Sequence, residues 1–333
     1  MELLNGTVET DRFAFFLAFD ATTGGTTGVV AQPSEVSCGG AVGGRIWQSG
    51  ISTGRQLLLR DEDGTNGTLE EGWIDVPWGQ SPEVGERIAQ KSSQFSSAWH
   101  PSEAGVYGQH PGEVVSFRAW GGGAREDIWK PGADPDGLPV GDVRPLPATG
   151  ALIEVGTLVT SGAWAWSSKT GLVPILRKFG DTTQGSGAVG SDGKDLVWIQ
   201  GAEKPANIEA PYTKIDVMAA PFSFSVAQVA AGARRLKSAR EATLTRPFVV
   251  GCGHAARNTF SHTPPKFTGV EVVRLSDGAS WLLIDDVDGG KGRWGQPLFL
   301  TCDELFVGVS TPEPYYGLAR VRLDTLGPPT PSD

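Results

Sequence analysis

The sequence predicts an all-β chain folded as a β-propeller, most simply of six four-stranded blades, alternatively seven, closed by an N-terminal strand. Three observations lead there. Gly and Pro are abundant, 46 and 23 of 333 residues, too dense for long helices yet below the level of a low-complexity chain. Short runs rich in Val, Ile, Leu, Phe and Trp alternate with Gly, Asp, Ser, Thr and Pro turns about every 8–12 residues, the signature of strands and hairpins. One strand grammar also recurs along the chain at a step of roughly 53 residues, within the range of a propeller blade.

That grammar is a Gly followed by a short apolar strand ending in Arg, often Arg-Leu. It reads Gly54–Arg60, Gly112–Arg118, Gly171–Arg177, Gly269–Leu275 and Gly317–Leu323, with Thr213–Ala219 as a copy that lacks both Gly and Arg. Cys38, Cys252 and Cys302 each precede a marker glycine by 15 to 17 residues, which puts them at equivalent places in three repeats. The units run approximately 27–64, 92–130, 148–182, 186–240, 247–288 and 293–326, within one domain spanning 1–333. A seventh, degenerate unit fits between repeats one and two, in Thr65–Gln90.

Within a unit the hairpins are legible. Val270–Leu275, the turn Ser276-Asp277-Gly278 and Trp281–Ile284 form one, because Gly accepts the positive φ that a side chain resists. Only Phe224–Ala242 carries helical spacing, and a loop with one or two helical turns suffices there. The last unit supplies three strands before the Pro-rich tail 327–333, whose prolines have no N–H to give a ladder. Residues 12–20 are the expected donor of the missing outer strand.

Ser191-Asp192-Gly193-Lys194-Asp195-Leu196-Val197-Trp198, followed by Lys214–Ala219 and Ala233-Arg234-Arg235-Leu236, resembles a TolB-type (WD-like) β-propeller repeat. The match covers one repeat. The proline that follows the serine in that motif is absent, and Glu203–Tyr212 is an insert. The resemblance implies a propeller used as a binding platform or assembly factor. With the acidic, Trp- and Gly-rich composition, it places the chain in the bacterial periplasm or outside the cell.

Acidic residues outnumber basic ones 38 to 28 and the formal net charge is −10. No basic track exists for a phosphate backbone, so nucleic acid is not an expected partner. The longest apolar runs, such as Phe13–Phe19, are far shorter than the ~20 residues that span a bilayer, so no membrane insertion is expected. The expected state is a monomer with a protein or carbohydrate ligand. Three widely spaced cysteines match no disulfide framework or zinc knuckle and leave one pair plus a free thiol open.

Two functional readings compete. Histidine is both a metal ligand and a neutral-pH base, so His254 with Arg257, and His100, His110 and His262 as metal ligands, would suit a metal-assisted polysaccharide lyase or hydrolase on the propeller axis. The other reading has four unrelated loop histidines, three of them beside Pro or Gly turns, and it is preferred. Asp61–Gly64, Asp134–Gly137 and Asp286–Gly289 are Asp-x-Asp-Gly turns in outline that could hold Ca²⁺, but none continues into a full ligand loop, and acidic hairpin turns explain them. A divalent metal (Ca, Mn or Zn) therefore stays an open expectation. Trp47, Trp99, Trp166, Trp198 and Trp281 sit at strands and should wedge between blades, while Trp73, Trp78, Trp120, Trp129 and Trp294 read as loop aromatics for a ligand. No nucleophile elbow, Walker loop, dinucleotide fingerprint or His-Glu-x-x-His is present. The preferred expectation is a non-catalytic binding or scaffold propeller that engages its ligand through loops at one mouth of the ring.

Overall fold

A computed structural model describes residues 2–3, 14–19, 26–31, 45–46, 56–63, 68–75, 83–93, 98–101, 104–110, 114–119, 124–146, 150–156, 161–176, 189–201, 212–242, 248–262, 265–283, 293–310 and 316–330. In chain order the strands are β1 (Glu2–Leu3), β2 (Ala14–Phe19), β3 (Thr26–Ala31), β4 (Arg45–Ile46), β5 (Gln56–Asp63), β6 (Thr68–Asp75), β7 (Glu83–Ser93), β8 (Ala98–Pro101) and β9 (Gly105–His110). They continue with β10 (Val114–Ala119), β11 (Glu126–Trp129), β12 (Val140–Leu146), β13 (Gly150–Gly156), β14 (Ser161–Ser167), β15 (Gly171–Leu176), β16 (Val189–Ser191), β17 (Asp195–Gly201) and β18 (Tyr212–Pro221). After the short helix α1 (Val226–Gly232) come β19 (Arg234–Ala242), β20 (Val249–Gly251), β21 (His254–His262), β22 (Pro265–Arg274), β23 (Ser280–Leu283), β24 (Arg293–Leu300), β25 (Glu304–Ser310) and β26 (Tyr316–Arg322).

Consecutive strands pair into four-stranded sheets: β4 to β7, β8 to β11, β12 to β15, β16 to β19, β20 to β23, and β24-β25-β26-β1, with β2 and β3 as a two-stranded sheet. Every described pairing is antiparallel. The third strands of the four-stranded sheets begin at residues 68, 114, 161, 212, 265 and 316, steps of 46 to 53 residues. The chain forms two compact units, one of 1–7, 134–142 and 152–333, the other of 8–133 and 143–151.

The sheets redraw some boundaries. Of the expected unit 27–64, β3 belongs to the two-stranded sheet and β4 and β5 to the β4–β7 sheet, whose strands β6 and β7 overlap Thr65–Gln90. Of residues 12–20, the expected closing strand, the described part is Ala14–Phe19. Ala14–Phe19 pairs with Thr26–Ala31, and the strand beside β26 is Glu2–Leu3, with Glu2 opposite Arg320 and Leu3 opposite Ala319. The apolar run of β2 finds a partner twelve residues on, and closing that short loop costs less entropy than a distant pairing.

In the larger unit the last three sheets share one construction. Where the third strand ends, the next N–H returns to the turn joining strands one and two: Phe222 N to Lys194 O, Leu275 N to Gly253 O, and Leu323 N to Asp303 O, all at 2.7 Å. This is the physical content of the Arg-Leu ending. The leucine backbone closes the turn, and the arginine clamps an aspartate just beyond, Arg274 to Asp277 and Arg322 to Asp324. The 191–194 turn is held likewise by Ser191 Oγ accepting from Gly193 N–H and by Asp192 Oδ1 accepting from Lys194 and Asp195 N–H. Helix α1 is capped by Ser225 and spans only Val226–Gly232; Leu236, which shares its spacing, lies on β19.

Side chains alternate across each strand, so one strand serves two cores. Ala255 and Leu275 face Val197, Ile199, Ile215 and Val217 of the preceding sheet. Ala256, Val270, Val272 and Trp281 face Leu300, Leu305, Val307 and Val321 of the following one. Trp166, Trp198 and Trp281 are buried, as expected of strand tryptophans. Cys252 and Cys302 occupy the strand-one-to-strand-two turns of adjacent sheets and form a disulfide with Cα atoms 4.9 Å apart. Cys38, the third cysteine expected at an equivalent place, lies outside the described residues.

First strands of neighbouring sheets meet backbone to backbone. A Cβ on Gly190 would stand 2.4 Å from Phe248 O, and one on Gly251 would stand 2.7 Å from Leu300 O. Gly251→Ala should therefore cost on the order of 2–4 kcal/mol in urea unfolding. Gly141→Ala, whose nearest new neighbour is 3.7 Å away, should stay within about 1 kcal/mol. Equal costs would show that the close approach does not constrain the fold.

Candidate functional site

Strand β21 carries both residues expected to form a catalytic pair, His254 and Arg257. Three residues apart on an extended strand, they belong to opposite faces. His254 is partly exposed at the turn after Cys252, its Nδ1 3.2 Å from the Cys252 carbonyl oxygen. That oxygen can only accept, so Nδ1 carries the hydrogen and Nε2 is the basic nitrogen.

Arg257 is buried and lies directly opposite Glu271 on β22. Its Nε and Nη2 both donate to Glu271 Oε2, at 2.8 and 2.7 Å. The other carboxylate oxygen accepts from Lys237 Nζ of the preceding sheet at 2.6 Å, and Lys237 also donates to Ser280 Oγ at 2.8 Å. The Arg257 guanidinium further sits 5.8 Å from the Phe248 ring centroid. Burial alone would raise the Glu271 pKa, but the charges of Arg257 and Lys237 and their hydrogen bonds hold it below the usual carboxylate range. The network pins one sheet to the next, and it commits Arg257 to Glu271. Sequence reasoning missed Glu271 and Lys237. The available signal was a carboxylate inside the apolar run Val270-Glu271-Val272-Val273, which only a partner makes tolerable.

His110 ends β9 and is buried, with Nε2 2.7 Å from Ser116 Oγ on β10. Burial, with Arg125 adding to it and Asp127 opposing, pushes its pKa down to about 4. The ring is neutral near pH 7 and a weak base, and Ser116 beside it is only 2% exposed. His100 lies on β8 opposite Tyr107, and His262 ends β21 opposite Pro265; the side chains of these two lie outside the described detail. Among the described side chains, His254 contacts the Cys252 carbonyl and His110 contacts Ser116. Among the described residues no group of three or more His, Cys, Asp or Glu comes together.

The loop tryptophans divide. Trp129 is 2% exposed on β11, opposite Val115, so it belongs to the core and not to a ligand loop. Glu126-Asp127-Ile128-Trp129 is an edge strand whose first two residues are exposed and whose last two, Ile128 and Trp129, are buried. Trp73 and Trp294 also lie on strands, opposite Leu58 and Val309, rather than in loops. Trp78 and Trp120 lie outside the described residues.

The acidic turns serve the fold where they are described. Asp134 is buried, with Oδ1 accepting from Asp136 N–H at 2.8 Å and Leu138 N–H at 3.4 Å. Its Oδ2 accepts from Trp164 Nε1 at 3.0 Å. Asp61 and Asp63 are strand residues of β5, and Asp286–Gly289 lies outside the described residues.

No known family model and no characterised protein matches the sequence. Among solved structures, the fold is similar to prolyl endopeptidase (TM-score 0.59, 11% identity, 91% of this chain and 44% of that one) and to the tricorn protease (0.57, 8%, 96% and 35%). It is also similar to the β-propeller domain of the Trilobed protease from Pyrococcus furiosus (0.53, 8%, 85% and 84%). The chain spans less than half the length of the first two proteins. At these identities the likeness concerns the fold, which is of the β-propeller kind.

The buried charge network has a measurable consequence. Arg257→Met strands Glu271 with Lys237 alone and should cost about 3 kcal/mol in denaturant unfolding. Arg257→Met with Glu271→Leu should recover a large part of that loss; an additive double variant would refute the coupling. His110 contributes a pH dependence of definite sign. Its depressed pKa means the unfolded chain takes up a proton that the folded chain refuses. Stability is full above about pH 6.5 and declines by on the order of 2 kcal/mol toward pH 4. His110→Gln should flatten that segment of the profile.

Proposed function

We propose that the chain is a non-catalytic binding or scaffold propeller that recognises a protein or glycan through loops at one mouth of a ring. The observation that carries this is the commitment of Arg257 to Glu271, since the strongest sequence-selected catalytic cation is spent inside an inter-sheet ion network. The neutral, buried His110 adds to it. The resemblance of Ser191–Leu236 to a TolB-type repeat agrees with a platform role.

The blade count we favour is seven, the alternative of the two. In chain order the β2–β3 hairpin stands between β1 and the first four-stranded sheet, where one further blade belongs, and β1 supplies the fourth strand beside β26. We place the protein in the periplasm or outside the cell. The Cys252–Cys302 disulfide supports this, because such bonds persist in oxidising compartments. A monomer is the working state. The rival reading, a metal-assisted lyase or hydrolase, rests on His254, whose Nε2 is the basic nitrogen of a partly exposed ring.

Elemental analysis of the dialysed protein separates the two. The binding reading expects no stoichiometric Mn, Zn or Fe, and no unsaturated uronide from acidic polysaccharide with added Mn²⁺ or Ca²⁺. It also expects saturable binding on a glycan or protein array that survives His254→Ala. About one metal per chain that is lost in His254→Ala, together with turnover, would replace binding by catalysis.

A further inference from the structure

The segment that follows β26 does not leave the protein. A 3-10 turn, Leu323–Thr325, redirects the chain, and Leu323 and Leu326 pack onto the apolar cluster shared by the last two sheets. Residues 327–330 then lie along β23, the outermost strand of the β20–β23 sheet. Three hydrogen bonds hold them there. Trp281 Nε1 donates to Gly327 O at 2.8 Å, Thr330 N–H donates to Ser280 O at 2.7 Å, and Leu282 N–H donates to Thr330 Oγ1 at 3.0 Å.

The backbone groups involved are the ones an edge strand turns away from its sheet. β22 pairs with the inner side of β23, Val272 opposite Trp281 and Val270 opposite Leu283. Ser280 C=O and Leu282 N–H are therefore the groups on the open side, and Thr330 satisfies both, one with its backbone and one with its hydroxyl. Pro328 and Pro329 have no N–H and cannot extend a ladder to another strand. The edge itself, Ser280-Trp281-Leu282-Leu283, is uncharged, apolar and β-prone, and Leu282 is 36% exposed. Such a strand is a template for pairing with its own copy.

We infer that 327–330 is an edge guard, and that its displacement opens Ser280–Leu283 to antiparallel pairing with the same strand of a second copy of this chain. A second copy is the partner that fits, because a four-residue apolar strand without charges is self-complementary across a two-fold axis. The guard is the pairing's competitor in cis: it fills the Leu282 N–H and Ser280 C=O that a ladder would use, and its prolines offer nothing in return.

The test compares sedimentation of the full chain with that of Thr330→Pro, which removes both the N–H and the hydroxyl, across a hundredfold concentration range. The variant should dimerise at least tenfold more tightly than the full chain, and adding Leu282→Lys should return it to the full chain's behaviour. Identical sedimentation of Thr330→Pro and the full chain, or a dimer that persists with Leu282→Lys, would overturn the proposal. Thr330→Val keeps the backbone and removes only the acceptor, so it guards against a variant that fails to fold. Hydrogen exchange at the Leu282 amide should then quicken at least tenfold; an unchanged rate would also overturn the guard.

Discussion

Where the first strands of neighbouring sheets meet, backbone touches backbone and no side chain fits between them. Gly190 against the Phe248 carbonyl and Gly251 against the Leu300 carbonyl are two such contacts, in successive sheets of the larger unit. From this constraint the rest of the arrangement follows. Sheets held that closely at their first strands must bury both faces, so β21 and β22 supply apolar residues alternately to the sheet before and the sheet after. A strand buried on both faces leaves little room for charge. The charge that is present has to be neutralised within the interface.

Glu271 shows how that is done. Its carboxylate lies in the interface between two sheets and would be protonated or expelled were it alone. Arg257 approaches from the neighbouring strand of its own sheet and Lys237 from the preceding sheet, so both oxygens are occupied. A buried ion network of this kind adds less net stability than an apolar filling would, but it tolerates only one alignment of the two sheets. The same economy accounts for Asp134, whose oxygens hold its own turn and the Trp164 indole. Residue types that invite a catalytic or metal-binding reading are, in these places, the polar joints of an otherwise apolar stack.

The period of the fold was legible in the sequence because two third strands end in an arginine that reaches an aspartate just beyond. Each of these ends closes the first turn and clamps a charge, at Arg274-Leu275 and Arg322-Leu323. The markers at Gly112, Thr213, Gly269 and Gly317 all fall at third strands, whereas Gly54 precedes a second strand and Gly171 opens a fourth. Similar apolar runs with a terminal arginine occur on second and fourth strands too, so the marker alone does not fix which strand of a sheet it stands on. Partners across strands were not legible. Arg257 stands opposite Glu271 only because a bulge between Thr259 and Phe260 shifts the β21–β22 register by one residue. Without that shift the pair would not be opposed, and nothing in the local composition announces it. Trp129 failed for a related reason: three glycines before it imply a long loop, while the four residues ending at Trp129 already form an edge strand.

The last sheet explains why one neighbour contact is fastened three times over. Its fourth strand is the two-residue β1, which pairs with β26 across almost the whole length of the chain. Closing a loop of that size carries a large entropic cost for very few backbone hydrogen bonds. The attachment of this sheet to the one before it is separate from that pairing, and its contacts are spread along the interface. The Cys252–Cys302 disulfide joins the two sheets at their first turns. The cluster around Trp281, Leu305 and Val307 fills the middle. At the outer edge the chain leaves β26, turns, and binds β23 through Gly327 and Thr330. Covalent, apolar and hydrogen-bonded fasteners thus act at three levels of one interface. Loss of any single one leaves two, so opening between these sheets requires all three kinds of contact to be released.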